Sequence, residues 1–111
     1  MPIKLPELND TTLAPFVAET TTPTVLVFHS AASKPARTVL PVVEELARDY
    51  EGLVRFALVN TQGASDALDS YGILSLPTFL FFRGGRMTDR FIGLLTRDKF
   101  EEKIEENLRK V

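Results

Sequence analysis

Residues 24–29, "TVLVFH", constrain the fold of this chain more than any other stretch. β-branched and aromatic side chains follow one another there, without the apolar and polar alternation that marks a half-exposed strand. Such a run is typical of a strand that is buried on both faces, as central strands of α/β proteins are. The stretch therefore predicts an α/β fold with this strand in the middle of its sheet.

A long amphipathic helix is predicted directly after this strand, over residues 33–50. Its apolar positions recur at helical spacing and line one face toward a core; they are Val39, Val43, Leu46, Ala47 and Tyr50. Ser33 stands at the start, where a serine oxygen can accept the backbone N–H of Ala36 as an N-cap. Pro41 falls inside the helix and is expected to kink it, because an internal proline costs about 3 kcal/mol unless packing compensates.

The rest of the chain alternates strand and helix signals. Strands are predicted over 53–60, 77–82 and 87–93, and helices after Asp10 or Thr11 as N-cap, over 64–72, and from Thr96 to residue 111. Gly84 and Gly85 supply the positive φ angles of a two-residue hairpin turn, so the last two strands are antiparallel. A parallel pair with a right-handed crossover plus this hairpin predicts a mixed sheet with helices on both faces. We expect one domain over residues 1–111.

Charge and hydropathy narrow the classes of partner. Thirteen Lys and Arg are interleaved with fifteen Asp and Glu, for a net charge of −2. This balance argues against nucleic-acid and anionic-membrane partners. Residues 1–10 contain no apolar signal region, and no apolar run approaches the roughly 20 residues of a membrane span. A cytoplasmic location is therefore predicted.

The chain contains no cysteine and one histidine, His29. Disulfide frameworks, thiolate metal sites and thiol catalysis are excluded for the chain as written. A site with several histidine ligands is excluded as well. The sequence therefore predicts no metal site and no cofactor.

Four features, in their order and spacing, resemble thioredoxin over nearly the whole chain. They are Pro41 inside the long helix, the segment "YGILSLPTFLFF" with Pro77 five residues after its glycine, the "RGG" turn, and Gly93 just past the last strand. The resemblance implies a three-layer α/β sandwich with a mixed central sheet and a C-terminal hairpin plus helix. It also implies a cis Leu76–Pro77 bond, which is accessible because X-Pro bonds favour trans by only about 0.5–1 kcal/mol.

The same resemblance places the family's redox site at the start of the long helix. The family's tryptophan falls at Ala32, and its Cys-Gly-Pro-Cys motif falls at Ser33-Lys34-Pro35-Ala36. A thiolate must attack a disulfide and a second thiol must resolve the mixed disulfide, and neither a serine nor an alanine can do this. The family's buried carboxylate falls at Val27 and the lysine that faces it at Leu58. No catalytic residue is therefore predicted in the chain as written.

Two functions follow from this pattern. The first is a redox-inactive thioredoxin-like module for protein binding or assembly, with a protein or an extended peptide as its partner. The predicted docking groove comprises Ala32, Ser33, Lys34, Pro35, Ser75, Leu76, Pro77, Ile92 and Gly93. The alternative is a thioredoxin-type thiol–disulfide oxidoreductase in which serine and alanine replace the two cysteines.

Overall fold

The computed structural model describes residues 5–109 and contains one five-stranded sheet. The strands are β1 (Glu7–Leu8), β2 (Thr24–His29), β3 (Arg55–Asn60), β4 (Thr78–Arg83) and β5 (Arg86–Ile92). Their order across the sheet is β1-β3-β2-β4-β5, with β2 in the middle as its apolar run predicts. β2 pairs parallel with β3 and antiparallel with β4, so the sheet is mixed. β1, only two residues long and preceded by a proline, was not predicted.

Four helices cover the sheet. They are α1 (Leu13–Ala18), α2 (Lys34–Asp49), α3 (Ser65–Ser70) and α4 (Arg97–Arg109), with a 3₁₀ turn at Thr61–Gly63. α2 continues through Pro41. The end predicted for the last helix, residues 110 and 111, lies outside the described residues. Within residues 5–109, no helix has the length and apolar character needed to cross a lipid bilayer.

Two apolar clusters, one on each face of the sheet, explain the uninterrupted pattern of β2. Leu26 and Phe28 contribute to the cluster that contains residues of α1 and α3. Val25 and Val27 contribute to the cluster that contains residues of α2 and α4. Because successive strand residues point to opposite faces, both sets are buried. This is the predicted three-layer α/β sandwich.

The helix starts show one confirmed cap and one correction. Ser33 caps α2, since its Oγ accepts the N–H of Ala36 at 3.3 Å. The prediction that Asp10 or Thr11 caps α1 is wrong, because the N-cap residue is Thr12. The Asn9 side chain holds that turn instead, accepting the N–H groups of Thr11 and Thr12 at 2.9 and 3.1 Å. Asparagine competes well for such turns because its side chain reaches backbone two or three residues ahead.

The hairpin between β4 and β5 has the predicted geometry. Gly84 and Gly85 have φ angles of 60° and 80°, and they separate the paired residues Arg83 and Arg86. Positive φ at both turn residues is what a two-residue turn needs to match the twist of its strands. The pairing continues to Thr78 and Ile92, which carries the end of β5 to the start of β4.

Candidate functional site

The residues predicted to form the docking groove lie at one end of the sheet. The β2/β4 ladder pairs Phe28 with Thr78, so β2 ends at the edge where β4 begins. The turn into α2 leaves this edge after His29, and the loop that carries Pro77 arrives there. The same edge receives the end of β5, because Ile92 is the partner of Thr78. The two halves of the predicted groove therefore meet at one end of the sheet.

The first half, which we call the helix-side wall, comprises residues 32–36. Ala32, Lys34 and Pro35 are exposed, Ser33 is half-buried, and Ala36 is completely buried. A group at position 33 is thus partly accessible from solvent, whereas a group at position 36 is enclosed by the protein. The 3.3 Å hydrogen bond from the Ala36 N–H to Ser33 Oγ shows that the side chain at 33 lies over that turn.

The electrostatic field at the helix-side wall favours an anion. The first turn of α2 contains no acidic residue, and Lys34 is followed one turn later by the exposed Arg37. Lys34 and Arg37 form no ion pair with any residue between 5 and 109. The unpaired N–H groups of a helix N-terminus add partial positive charge.

The two positions that the resemblance assigns to a buried charged pair hold apolar residues here, Val27 and Leu58. Val27 is completely buried and is the direct partner of Leu58 in the parallel β2/β3 ladder. Both belong to the cluster on the α2 and α4 face. The two altered positions are therefore in register on one face of the sheet, and the change from a charged to an apolar pair leaves no single buried charge.

The second half, which we call the proline-side wall, comprises residues 72–77 with Ile92 and Gly93. The Leu76–Pro77 bond is cis. The carbonyl oxygen of Pro77 accepts the N–H of Gly93 at 2.9 Å, and the carbonyl oxygen of Ser75 accepts the hydroxyl of Thr78 at 2.7 Å. These bonds tie the loop to the start of β4 and to the end of β5.

The backbone of Leu76 is unpaired among the described residues. Within residues 5–109, neither its N–H nor its carbonyl oxygen forms a hydrogen bond. The neighbouring Leu74 side chain is 97% exposed and Ile92 is 61% exposed. Leu74 was not predicted to line the groove, although its place in a short loop between Gly72 and Pro77 indicates an exposed side chain. A free peptide unit beside exposed apolar side chains suits an extended segment.

His29 ends β2 next to the helix-side wall and is buried. Its Nε2 has no hydrogen-bond partner among residues 5–109. Burial lowers the pKa of His29 below its ordinary value because the charged form loses hydration, and the Glu7 carboxylate offsets part of this shift. The imidazole is therefore neutral near pH 7.

Between residues 5 and 109, no three carboxylate or imidazole side chains are grouped so as to hold a metal ion.

Comparison with known proteins agrees with this geometry. The sequence model of the thioredoxin family matches residues 4–106. Thioredoxin M4, chloroplastic, from Arabidopsis thaliana is 33% identical over 103 residues, which cover 93% of this chain and 53% of that protein. Thioredoxin 1 from Nostoc sp. is 31% identical over 102 residues, which cover 92% of this chain and 95% of that protein.

A third relative, Thioredoxin 2 from Chlorobaculum tepidum, is 36% identical over 81 residues, which cover 73% of this chain and 74% of that protein. The chain thus spans about half of the chloroplastic relative and nearly all of the Nostoc relative. The fold, the cis-proline loop and these matches all indicate the same family. The chain belongs to the thioredoxin family.

Proposed function

We propose that this chain is a thioredoxin-type thiol–disulfide oxidoreductase scaffold in which Ser33 and Ala36 occupy the two thiol positions. The observation that carries the proposal is the contrast in burial across one helical turn, with position 33 half-exposed and position 36 buried. The relatives named thioredoxin support this proposal better than they support a dedicated binding module.

The contrast matches the two steps of dithiol chemistry. A thiolate at position 33, stabilised by the α2 N-terminus, would attack one sulfur of a substrate disulfide and release the other as a thiolate, which takes up a proton. The thiolate formed at position 36 would then attack the sulfur at 33 and release the second substrate thiol. The substrate disulfide is reduced and the protein dithiol is oxidised. The chain as written has no sulfur at either position.

Restoring the sulfurs tests the proposal. We expect Ser33→Cys/Ala36→Cys to accelerate reduction of a small disulfide-bonded protein well above the rate with dithiothreitol alone. The unaltered chain should stay at background. The single variants Ser33→Cys and Ala36→Cys are matched controls, since neither can complete both steps. A double variant that keeps the fold, shown by circular dichroism, but remains at background would refute the proposal.

A second function is favoured by the free backbone of Leu76. The groove between the two walls suits an extended segment of a partner protein, which would pair with Leu76 and cover Leu74 and Ile92. Ala32 supplies no aromatic anchor, and large aromatic side chains dominate most interface energies. Generic peptides should therefore bind weakly, and a tight partner must bring its own anchor. Cytoplasmic location and the lack of nucleic-acid or membrane partners stay predictions.

An NMR titration tests this second function. The probe is a synthetic peptide of alternating valine and threonine with one central phenylalanine. We expect backbone amide shifts at residues 32–34 and 74–76, with little change on the α4 surface around Glu102. The same peptide with proline at alternate positions is the control, because proline cannot donate the pairing hydrogen bonds. Shifts confined to the α4 surface would refute the groove as the docking site.

A further inference from the structure

α3 is too short to be stable by itself. It has six residues, its N-cap residue is Ala64, and no local side chain caps its start. Isolated helices shorter than about 12–15 residues are marginal in water because nucleation is costly. Yet α3 leads directly into the proline-side wall, so its position determines where that wall begins. The helix must be held by residues from other elements.

Asp10 holds the start of α3 across a large sequence separation. Its Oδ2 accepts the N–H of Asp66 at 3.0 Å, and its Oδ1 accepts the N–H of Ala67 at 2.9 Å. The backbone N–H of Asp10 donates to the carbonyl oxygen of Gly63 at 3.0 Å, which fixes the carboxylate in place. A carboxylate at a helix N-terminus also complements the helix dipole.

Arg90 of β5 holds the other end. Its Nη1 donates to the carbonyl oxygen of Tyr71, and its Nη2 donates to the carbonyl oxygen of Gly72 at 2.8 Å. Both carbonyls lie just past the last residue of α3, where backbone acceptors lack helical partners. A guanidinium at a helix C-terminus again has the favourable sign. The Arg90 guanidinium forms no ion pair within residues 5–109, so its described partners are these two carbonyls.

We propose that Asp10 and Arg90 are positioning residues, which clamp α3 from both ends and thereby hold the proline-side wall in its partner-binding geometry. Arg90 contacts the loop at Gly72, four residues before the free backbone of Leu76. Ile73, between them, is buried and donates its N–H to Leu68 of α3 at 2.8 Å. The clamp thus reaches the exposed part of the loop through one buried residue. Its effect on partner binding rests on the function proposed above, whereas its effect on loop order does not.

Hydrogen exchange of backbone amides tests the structural half. We expect Arg90→Met to speed exchange of the Ile73 amide about tenfold, which corresponds to the loss of roughly 1.4 kcal/mol of charge-assisted hydrogen bonding. Amides of β2 and α2 should exchange as before. Arg90→Lys should recover part of the protection, because an ammonium can still donate to one carbonyl. Arg86→Met is the matched control, since it removes the same charge from the exposed hairpin end of β5.

Kinetics in the Ser33→Cys/Ala36→Cys background test the functional half. We expect Arg90→Met to raise the KM for a disulfide-bonded protein substrate about tenfold by the same conversion. The rate at which iodoacetamide alkylates position 33 should be unchanged, because the helix-side wall is untouched. Asp10→Ala should act in the same direction as Arg90→Met.

Each outcome separates the two proposals. An inactive cysteine background refutes the oxidoreductase proposal, while the exchange data still decide whether the clamp orders the loop. Unchanged exchange at Ile73 in Arg90→Met, or an equal increase in all amides, would overturn the clamp. A local increase with an unchanged KM in an active background would overturn its role in binding.

Discussion

The two walls of the groove differ in what their chemistry requires. On the helix-side wall the tryptophan and both cysteine positions carry other residues, and the charged pair beneath it is Val27 and Leu58. The proline-side wall depends on backbone groups instead, and there the cis bond, the Pro77–Gly93 hydrogen bond and the free Leu76 backbone are all present. The redox chemistry and the segment binding proposed above would therefore rest on different atoms.

The largest effect is expected from Val27→Asp. This variant tests whether the Val27 and Leu58 pair is part of the apolar core. Val27 is fully buried. An unpaired buried charge costs about 3–5 kcal/mol, so the free energy of unfolding should fall by about that amount at pH 7. Urea denaturation measures the loss. Val27→Thr, of nearly the same shape, should lose less.

The double variant Val27→Asp/Leu58→Lys sharpens the same point. Because the two positions are direct partners in the β2/β3 ladder, the ammonium can pair with the carboxylate and recover part of the loss. Equal stability of Val27→Asp and the unaltered chain would contradict the placement of Val27 in the apolar core.

A smaller effect is expected from Ser33→Ala, which tests whether the N-cap formed by Ser33 stabilises α2. The variant removes the acceptor for the Ala36 N–H. Loss of a serine N-cap costs about 1 kcal/mol in free energy of unfolding. Thermal or urea denaturation measures it against the exposed Ser70→Ala as control. No loss in Ser33→Ala would mean that the cap contributes nothing to stability.

Lys34→Glu should act more weakly and in the opposite direction. A lysine at the first residue of α2 opposes the helix dipole, whereas a glutamate there is stabilising by about 0.3–1 kcal/mol at low salt. The gain should shrink as salt is added, because exposed charges are screened. Arg86→Glu, far from any helix start, is the control. A gain that persists in high salt would argue against the dipole as its cause.

The smallest effect near neutral pH concerns His29. Because its pKa is lowered in the folded protein, the unfolded chain binds a proton more readily as the pH falls through 6.5. The free energy of unfolding should therefore decrease on acidification, with stability retained above that pH. Carboxylates contribute to the same decline, so His29→Phe isolates the imidazole. We expect a shallower loss below pH 6.5 in His29→Phe, and identical pH profiles would contradict the burial of a neutral imidazole.

Local patterns predicted much of this molecule. The apolar run of β2, the spacing along α2 and the Gly84–Gly85 pair each depend on residues that are close in sequence. The Ser33 cap is equally local. The groove residues were predicted from the resemblance, because the family motif relates Pro77 to the start of α2, and that groove stays a prediction.

Long-range contacts were not predictable in the same way. Asp10 has the residue type and the position in sequence expected of an N-cap for α1. Its carboxylate instead caps α3 by accepting the N–H groups of Asp66 and Ala67. The sequence gives no sign that Arg90 differs from other charged strand residues. The pairing of β4 with β5 brings its guanidinium to the Gly72 carbonyl oxygen. β1 was not predicted because two residues are too few to show a periodic pattern. Its pairing with β3 stabilises it.

The redox equilibrium of Ser33→Cys/Ala36→Cys tests the central claim most directly, namely that the first turn of α2 holds positions 33 and 36 where two thiols would form a disulfide with each other. The purified variant is equilibrated with glutathione buffers, and its free thiols are counted under denaturing conditions. We predict a single two-electron transition in which a monomeric protein loses both thiols together to an intramolecular disulfide. Two thiols that stay free in oxidising buffer, or that oxidise only by forming mixed disulfides or dimers, would contradict the claim.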